Sequence, residues 1–309
     1  MTWWILGGAL IAGLVTAHLS VGASIRVAHR LDFLDYPDSA RKAQTQPIPK
    51  LGGVAVAYAF LVVTTAALLV IQSPRELQLA LSAVVPALLA GFVGYVDDRR
   101  HLNPYLRLVL QGIVGVLVWW LGSRVALFDQ GWLDAALVIV FVIALINGLN
   151  LLDNSDGLAA STVVVSALGA SLVAVTSGQE LVSLLGFSLV GVSLGFLSNN
   201  WFPARVYLGD SGAYFLATLL AVLIIRMRPD AVDQLVGATI GLLLVVLPLA
   251  DTSYVVVKRI RAGIHPFTAG RDHLSHALQA RGRSVPTSVL FLQLISVTGA
   301  IGAVALATI

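Results

Sequence analysis

Five aspartates set at three boundaries between apolar and polar sequence carry the first chemical signal. Asp97 and Asp98 stand in Gly94-Tyr95-Val96-Asp97-Asp98-Arg99-Arg100, and Asp153 and Asp156 in Asn147-Gly148-Leu149-Asn150-Leu151-Leu152-Asp153-Asn154-Ser155-Asp156-Gly157-Leu158-Ala159. Asp210 stands in Phe202-Pro203-Ala204-Arg205-Val206-Tyr207-Leu208-Gly209-Asp210-Ser211-Gly212. Adjacent carboxylates suit a hard, oxygen-seeking cation that is also bridged to phosphate. Two asparagines and two aspartates so close together at the end of an apolar run are costly unless they face water or one another. Glycines on either side of Asp210 permit close backbone approach, and a following helix N-terminus offers free N–H groups to an anion. Each stretch also has a plainer reading: a solvated helix end for the first, inter-helix hydrogen bonding by Asn147 or Asn150 for the second, and an Asp-Ser cap for the third.

A fourth stretch, His265-Pro266-Phe267-Thr268-Ala269-Gly270-Arg271-Asp272-His273-Leu274-Ser275-His276, adds histidines at i and i+3, a spacing that shares a helix face. Arg271 beside them is a candidate bidentate phosphate ligand. The alternatives are a solvated amphipathic loop and a zinc site, the latter without an evident third ligand. The chain has no cysteine, which excludes disulfides, thiolate metal sites and cysteine nucleophiles.

The elements that position these residues are read from hydropathy. Of 309 residues 58% are hydrophobic and only 11% charged, far below the roughly 25% of ordinary soluble domains. Apolar runs of about twenty residues, each long enough to cross a bilayer as a helix, recur at 3–28, 51–72, 77–96, 106–122, 134–152, 157–176, 181–198, 211–227, 234–257 and 287–308. The expectation is an all-α polytopic membrane protein of about ten transmembrane helices, forming one domain over 1–309. Continuous rather than alternating hydrophobicity argues against a barrel.

All the lysines and arginines except Arg75, Arg124, Arg226 and Arg228 fall in loops on one side, which the positive-inside rule makes cytoplasmic, with both termini outside. That bias accounts for the net charge of +3 without a nucleic-acid partner. The five aspartates fall on the same cytoplasmic side at helix ends, whereas the acidic residues of the outer loops are scattered. Two longer cytoplasmic loops, 29–50 and 258–286, are the sizeable aqueous segments. Asp251, next to Pro248 inside the ninth run, leaves open an ion-coupled transporter or flippase. Carboxylates gathered at one face rather than at the midplane count against it. On its own residues Asp251 reads as a structural polar group near the cytoplasmic end of its span.

Taken together and in order, the four stretches resemble the polyprenyl-phosphate N-acetylhexosamine-1-phosphate transferases, a glycosyltransferase family 4 type of enzyme. The stretch Arg41-Lys42 … Pro47-Ile48-Pro49 … Gly52-Gly53 is similar to that family as well, so the resemblance covers nearly the whole chain. It departs at Asn154 and Ser155, where the pattern has Gly and an aliphatic residue. It departs again at Gln44, at Ala213, and at Ser275, which stands where the GlcNAc branch has a His.

The resemblance implies transfer of a sugar-1-phosphate, GlcNAc-1-phosphate before phospho-MurNAc-pentapeptide, from a UDP-N-acetylhexosamine to polyprenyl (undecaprenyl) phosphate, with release of UMP. Mg²⁺ is the implied cofactor, Mn²⁺ a substitute. Implied too are a multi-pass location in the plasma (inner) membrane, a cytoplasm-facing active site and compatibility with a homodimer. It implies Asp210, Asp97 and Asp98 as metal ligands, and catalytic roles for Asp97, Asp98, Asp153, Asp156 and His273. Asn147, Asn150, Tyr207, Arg271 and His276 would bind substrate, Tyr207 by stacking on uracil, with Arg41 and Lys42 adding positive charge. A phosphate monoester is mostly dianionic at pH 7, its second pKa being about 6, so positioning and charge neutralisation matter more than a general base.

Overall fold

The computed structural model describes residues 3–37, 46–229, 232–268 and 270–308. It is a helical bundle in the chain order α1 (Trp3–Arg30), α2 (Gly52–Ile71), α3 (Pro74–Arg100), α4 (Pro104–Trp120), α5 (Gly131–Leu152), α6 (Leu158–Thr176) and α7 (Glu180–Asn200). There follow α8 (Gly209–Arg226), α9 (Gln234–Leu244), α10 (Val246–Arg261), the short α11 (Leu274–Ala280) and α12 (Val285–Ala307). A minimal antiparallel ribbon, β1 (Leu34–Asp35) and β2 (Ile48–Pro49), joins α1 to α2 with Asp35 opposite Ile48.

Eight described helices are long and apolar enough to span a bilayer: α1, α2, α3, α5, α6, α7, α8 and α12. The shorter α4 is apolar, and α9 with α10 passes the same test as one bent element. Each predicted run therefore has its helix, with two instructive differences. The run 234–257 is not one rod: it breaks at Val245 and bends by 73°. Pro248 is the cause, since it has no N–H and its ring clashes with the carbonyl four residues back, that of Leu244, where α9 ends. The run 77–96 continues to Arg100, so Asp97 and Asp98 lie inside the last turn of α3.

The bundle is built around α8. Its apolar window is 89% buried against 28% for α1, and it packs on α2, α3, α5, α6 and α7. Phe215 of α8 meets Phe60 of α2 edge to face at 5.9 Å, a favoured aromatic geometry. Outer helices show the reverse pattern: Ile11, Leu14, Val15 and Leu19 of α1 are exposed, as lipid-facing side chains are. Trp3 and Trp4 at the start of α1, Trp120 at the end of α4 and Trp132 at the start of α5 are exposed at one end of the bundle, where an interfacial aromatic belt belongs. The connections at the opposite end carry the candidate chemistry.

Candidate active site

A cavity of about 1060 Å³ opens at that opposite end. Its walls come from the last turns of α1 and α3, the β1–β2 ribbon, the α5–α6 and α7–α8 connections, and the α10–α12 segment. The acidic side is assembled by close backbone approach at the N-terminus of α8. A Cβ on Gly94 of α3 would lie 2.3 Å from the Asp210 carbonyl oxygen, so only glycine lets α3 sit there. Gly209 has φ +69, and a Cβ on it would come within 2.8 Å of Asp98 Oδ2, so it too is required.

This approach is used chemically. Leu208 provides no side-chain cap for α8, and instead Asp98 Oδ2 accepts from the Ser211 N–H at 3.1 Å across the helix interface. That places a carboxylate at the positive end of the helix dipole. Asn150 Nδ2 donates to Asp210 Oδ1 at 2.6 Å, tying α5 to α8. Asp153 accepts from the Gly209 backbone N–H. Burial, followed by the charges of Asp210 and Asp98, holds the Asp153 carboxyl well above the usual carboxylate range, with Lys50 and the Gly209 N–H opposing.

Lys50 is the counter-charge of this cluster. Its Nζ lies 3.2 Å from Asp98 Oδ1 and 3.9 Å from Asp35 Oδ1. Burial alone would lower its pKa, but Asp98, Asp35 and Asp210 together raise it, so it stays charged. The backbone fixes its position. Lys50 N–H donates to Phe33 O, Tyr207 N–H to Pro49 O, and the Gly52 and Gly53 N–H groups to Tyr207 O and Leu208 O. The segment before α8 is thereby threaded along the one before α2.

The rest of the lining mixes charged and neutral groups. Asp156 accepts from the Ala204 N–H at 2.9 Å, and burial raises its pKa against that bond. Asn154, Ser155, Gln279 and His276 line the cavity too, as do Tyr207 and Arg271. Behind them the late loop is anchored by a bidentate Arg259–Asp272 fork at 2.7 and 2.8 Å. That fork keeps the Asp272 pKa below the carboxylate norm.

Of the residues singled out from sequence, Asp98, Asn150, Asp153, Asp156, Tyr207, Asp210, Arg271 and His276 line this one cavity. Three do not. Asp97 is buried behind it, with Oδ1 taken by the Leu102 N–H at 2.8 Å and Oδ2 by Arg107 Nη1 at 3.0 Å and Tyr214 Oη at 3.2 Å. It is a clamp between α3, α4 and α8 that feels Asp210 from the rear. Asn147 donates to Gln111 Oε1 at 2.6 Å and to Ile143 O, so the plainer inter-helix reading holds for it. His273 is 4% exposed and its Nδ1 pairs with Asp251 Oδ2 at 2.8 Å, while Asp251 Oδ1 accepts from the Leu274 N–H. Asp251 thus holds the late loop rather than standing alone in its span. Arg41 and Lys42 lie outside the described residues.

Lys50 and Asp35 are the residues that sequence reasoning passed over. The signal for Lys50 was its place between Pro47-Ile48-Pro49 and Gly52-Gly53. Asp35 shares its stretch of sequence with Asp32 and Asp38, with nothing to mark it out from them.

Among the described residues no three His, Asp or Glu side chains form a ready-made metal cage. What the cavity does offer is oxygen: Asp98, Asp153 and Asp210 on one side, beside open volume. Mg²⁺ typically takes one or two carboxylates, several waters and substrate phosphates rather than an all-protein cage, so this donor set fits it.

The profile described as Glycosyl transferase family 4 matches residues 80–228. The chain is 27% identical to a probable undecaprenyl-phosphate N-acetylglucosaminyl 1-phosphate transferase of Bacillus subtilis, over 96% of this chain and 84% of that protein. It is 28% identical to a decaprenyl-phosphate N-acetylglucosaminephosphotransferase of Mycobacterium leprae, over 92% and 79%. With a phospho-N-acetylmuramoyl-pentapeptide-transferase of Streptococcus sanguinis it shares 30% identity over 74% of this chain and 77% of the relative. With 30% identity to a relative over 77% of that protein's length, and the profile match beside it, the chain belongs to glycosyl transferase family 4, as a multi-pass membrane enzyme of the polyprenyl-phosphate sugar-1-phosphate transferase kind.

Proposed function

We propose that this enzyme transfers GlcNAc-1-phosphate from UDP-GlcNAc to a polyprenyl phosphate at the cytoplasmic face of the plasma membrane, acting as one domain with about ten spans. The observation that carries the reading is the pairing of Lys50 with Asp98, beside Asp153 and Asp210, in a cavity at the cation-rich end of the bundle. A cluster of carboxylates with one fixed cation suits a diphosphate bridged through a metal.

An oxygen of the polyprenyl phosphate bonds to the β-phosphorus of the donor, and the bond from that phosphorus to the bridging oxygen breaks. The electron pair leaves on UMP, and no proton need be removed from the dianionic acceptor. Asp210 and Asp98, with Asp153, would hold Mg²⁺, which when bound neutralises charge on the transferring phosphoryl group. Lys50 limits carboxylate repulsion while the site is assembled and adds positive charge toward the diphosphate. Asn150 fixes the Asp210 oxygen it donates to, Arg271 grips phosphate from the late loop, and Tyr207 offers a ring to the base.

Radiolabelled UDP-GlcNAc, polyprenyl phosphate and Mg²⁺ with the detergent-purified chain should yield lipid-extractable label and free UMP. No label with any UDP-N-acetylhexosamine, or label from UDP-MurNAc-pentapeptide alone, would overturn the proposed donor.

A further inference from the structure

Inside the bundle, apart from the cavity lining, α6 and α12 meet the break between α9 and α10. Two sets of contacts give the register. Gln293 of α12 donates Nε2 to Ser161 Oγ and Thr162 Oγ1 of α6, both at 2.9 Å. Further along both helices, a Cβ on Gly169 of α6 would lie 3.1 Å from Ala300 Cβ of α12 and 2.5 Å from Leu244 Cδ2, at the last residue of α9. The step from Thr162 to Gly169 equals that from Gln293 to Ala300, so α6 and α12 run parallel and in step. Ser166 and Ser296 therefore stand on facing stripes at one level between those contacts.

Both serines are buried, 1% and 3% exposed, and neither hydroxyl has a hydrogen-bond partner among the described residues. Their neighbours in α6 behave otherwise: Ser161, Thr162 and Ser171 each donate to the carbonyl four residues earlier. With the Ser161 and Thr162 protons spent in that way, their oxygens accept from Gln293 Nε2. Gln293 Oε1 is left buried and without a partner among the described residues.

The break supplies a fourth group. A continuous helix would pair the Leu244 carbonyl with the N–H of residue 248, and Pro248 has none. Leu244 is itself buried. Helix carbonyls point toward the C-terminal end, and α9 runs toward the cavity end of the bundle, whereas α6 starts from it. The Leu244 carbonyl is thus directed from the level of Gly169 toward that of Ser166.

A single orphaned hydroxyl carries little weight, and Ser193 of α7 is another. Here two donors, the Ser166 and Ser296 hydroxyls, gather within a turn of two acceptors, the Leu244 carbonyl and Gln293 Oε1. Water donates twice and accepts twice, and a buried water makes about three hydrogen bonds to polar groups that otherwise lack partners. We infer that the junction of α6, α12 and the α9–α10 break is a binding site for structural water, which bridges these four groups and holds the 73° bend at Val245. The bend sets the course of α10 and with it Asp251, the anchor of the late loop.

The test turns on a sign. If the two hydroxyls are dry, removing them relieves a buried unpaired group, and Ser166→Ala and Ser296→Ala raise the unfolding midpoint or leave it unchanged. If they hold water, each should lower the midpoint of the full chain in detergent by about 2–4 °C, the scale of one net hydrogen bond, with the double variant falling short of the sum. In a Pro248→Ala background the N–H of residue 248 returns to the Leu244 carbonyl, and the serine substitutions should cost less than they do in the wild type. X-ray radiolysis with mass spectrometry, which oxidises side chains beside bound water, gives a second readout that does not depend on how Pro248→Ala folds. Leu244 should be oxidised well above the equally buried Leu184 and Leu220 in the wild type, and should fall to their level in Ser166→Ala/Ser296→Ala. Serine variants that are silent or stabilising overturn the inference, as do losses undiminished in a folded Pro248→Ala. Oxidation of Leu244 no greater than that of Leu184 and Leu220 overturns it whatever the melting data show.

Discussion

The two ends of the bundle handle charge in opposite ways. At the tryptophan end, Arg226 in the last turn of α8 donates Nε to Ser123 Oγ at 2.8 Å, Nη1 to Leu79 O at 2.7 Å and Nη2 to Ser82 Oγ at 2.8 Å. Nearby Arg228 donates to Ile225 O and Arg124 O. These cations spend their donors on neutral carbonyls and hydroxyls of neighbouring helices. At the other end of the same helix, Asp210, Asp98 and Asp153 crowd together with one lysine and face open volume. A satisfied charge ties helices together. A crowd of like charges left facing a cavity tolerates its repulsion only if a ligand relieves it, and that is the mark of a site.

The comparison breaks first at Asp210. Asp210→Asn should lower turnover by about a thousandfold or more, the scale of losing a group that stabilises charge at a transferring phosphoryl centre, with melting behaviour kept. If Asp210→Asn retains near-normal rates, the acidic end is structural like the other one. Lys50→Met comes next. It should cut kcat/KM by about ten- to a hundredfold, because it removes one charge-assisted contact from a desolvated cluster. An unchanged kcat/KM at saturating Mg²⁺ would mean that Lys50 only offsets carboxylate charge, with no hold on substrate.

The control arm lies at the tryptophan end. Arg226→Met should cost about 1–3 kcal/mol of stability, since Ser82, Ser123 and the Leu79 carbonyl lose a shared partner, while turnover per folded molecule stays as in the wild type. Thermal unfolding in detergent and specific activity measured on one preparation check both halves. A specific loss of activity would mean that the two ends communicate through α8.

How far the sequence reached can be read from the same residues. Hydropathy finds a helix for every apolar run because a helix in lipid must be continuously apolar, and the cluster Asp98–Asp153–Asp210 is legible because carboxylates at helix ends are rare and costly. Asp97 and Asp98, identical neighbours in sequence, part company in the structure. One residue is about 100° of helix rotation, enough to turn Asp98 into the cavity and Asp97 toward Arg107 and Tyr214. Hydropathy and motif order do not carry that angle, since it depends on how α3 leans on α8 at Gly94. Asn147 follows the same rule, one turn before Asn150 yet facing Gln111 of α4. The break at Val245 was in principle readable from Pro248, although in a bundle proline often passes without bending a helix.

The smallest expected effect concerns pH. His276 has its pKa lowered from 6.5 to about 4, first by burial and then by the charges of His273 and Arg271. A depressed histidine pKa means that the folded chain binds fewer protons than the unfolded one between those values. Its contribution to stability is therefore fully present above about pH 6.5 and is lost as pH falls toward 4. Between pH 6.5 and 8 the imidazole of His276 stays neutral in the folded chain, so it should add no inflection to the rate profile there. The profile of kcat/KM for UDP-GlcNAc over that interval should have the same shape in the wild type and in His276→Ala, displaced downward by a constant factor. Below pH 6.5 the thermal stability of the wild type should fall more steeply than that of His276→Ala, because only the former carries the imidazole of His276, whose protonation folding opposes. An inflection near pH 6.5 that disappears in His276→Ala would show that the imidazole titrates freely. His276 would then add positive charge to the cavity at working pH, beside Lys50 and Arg271.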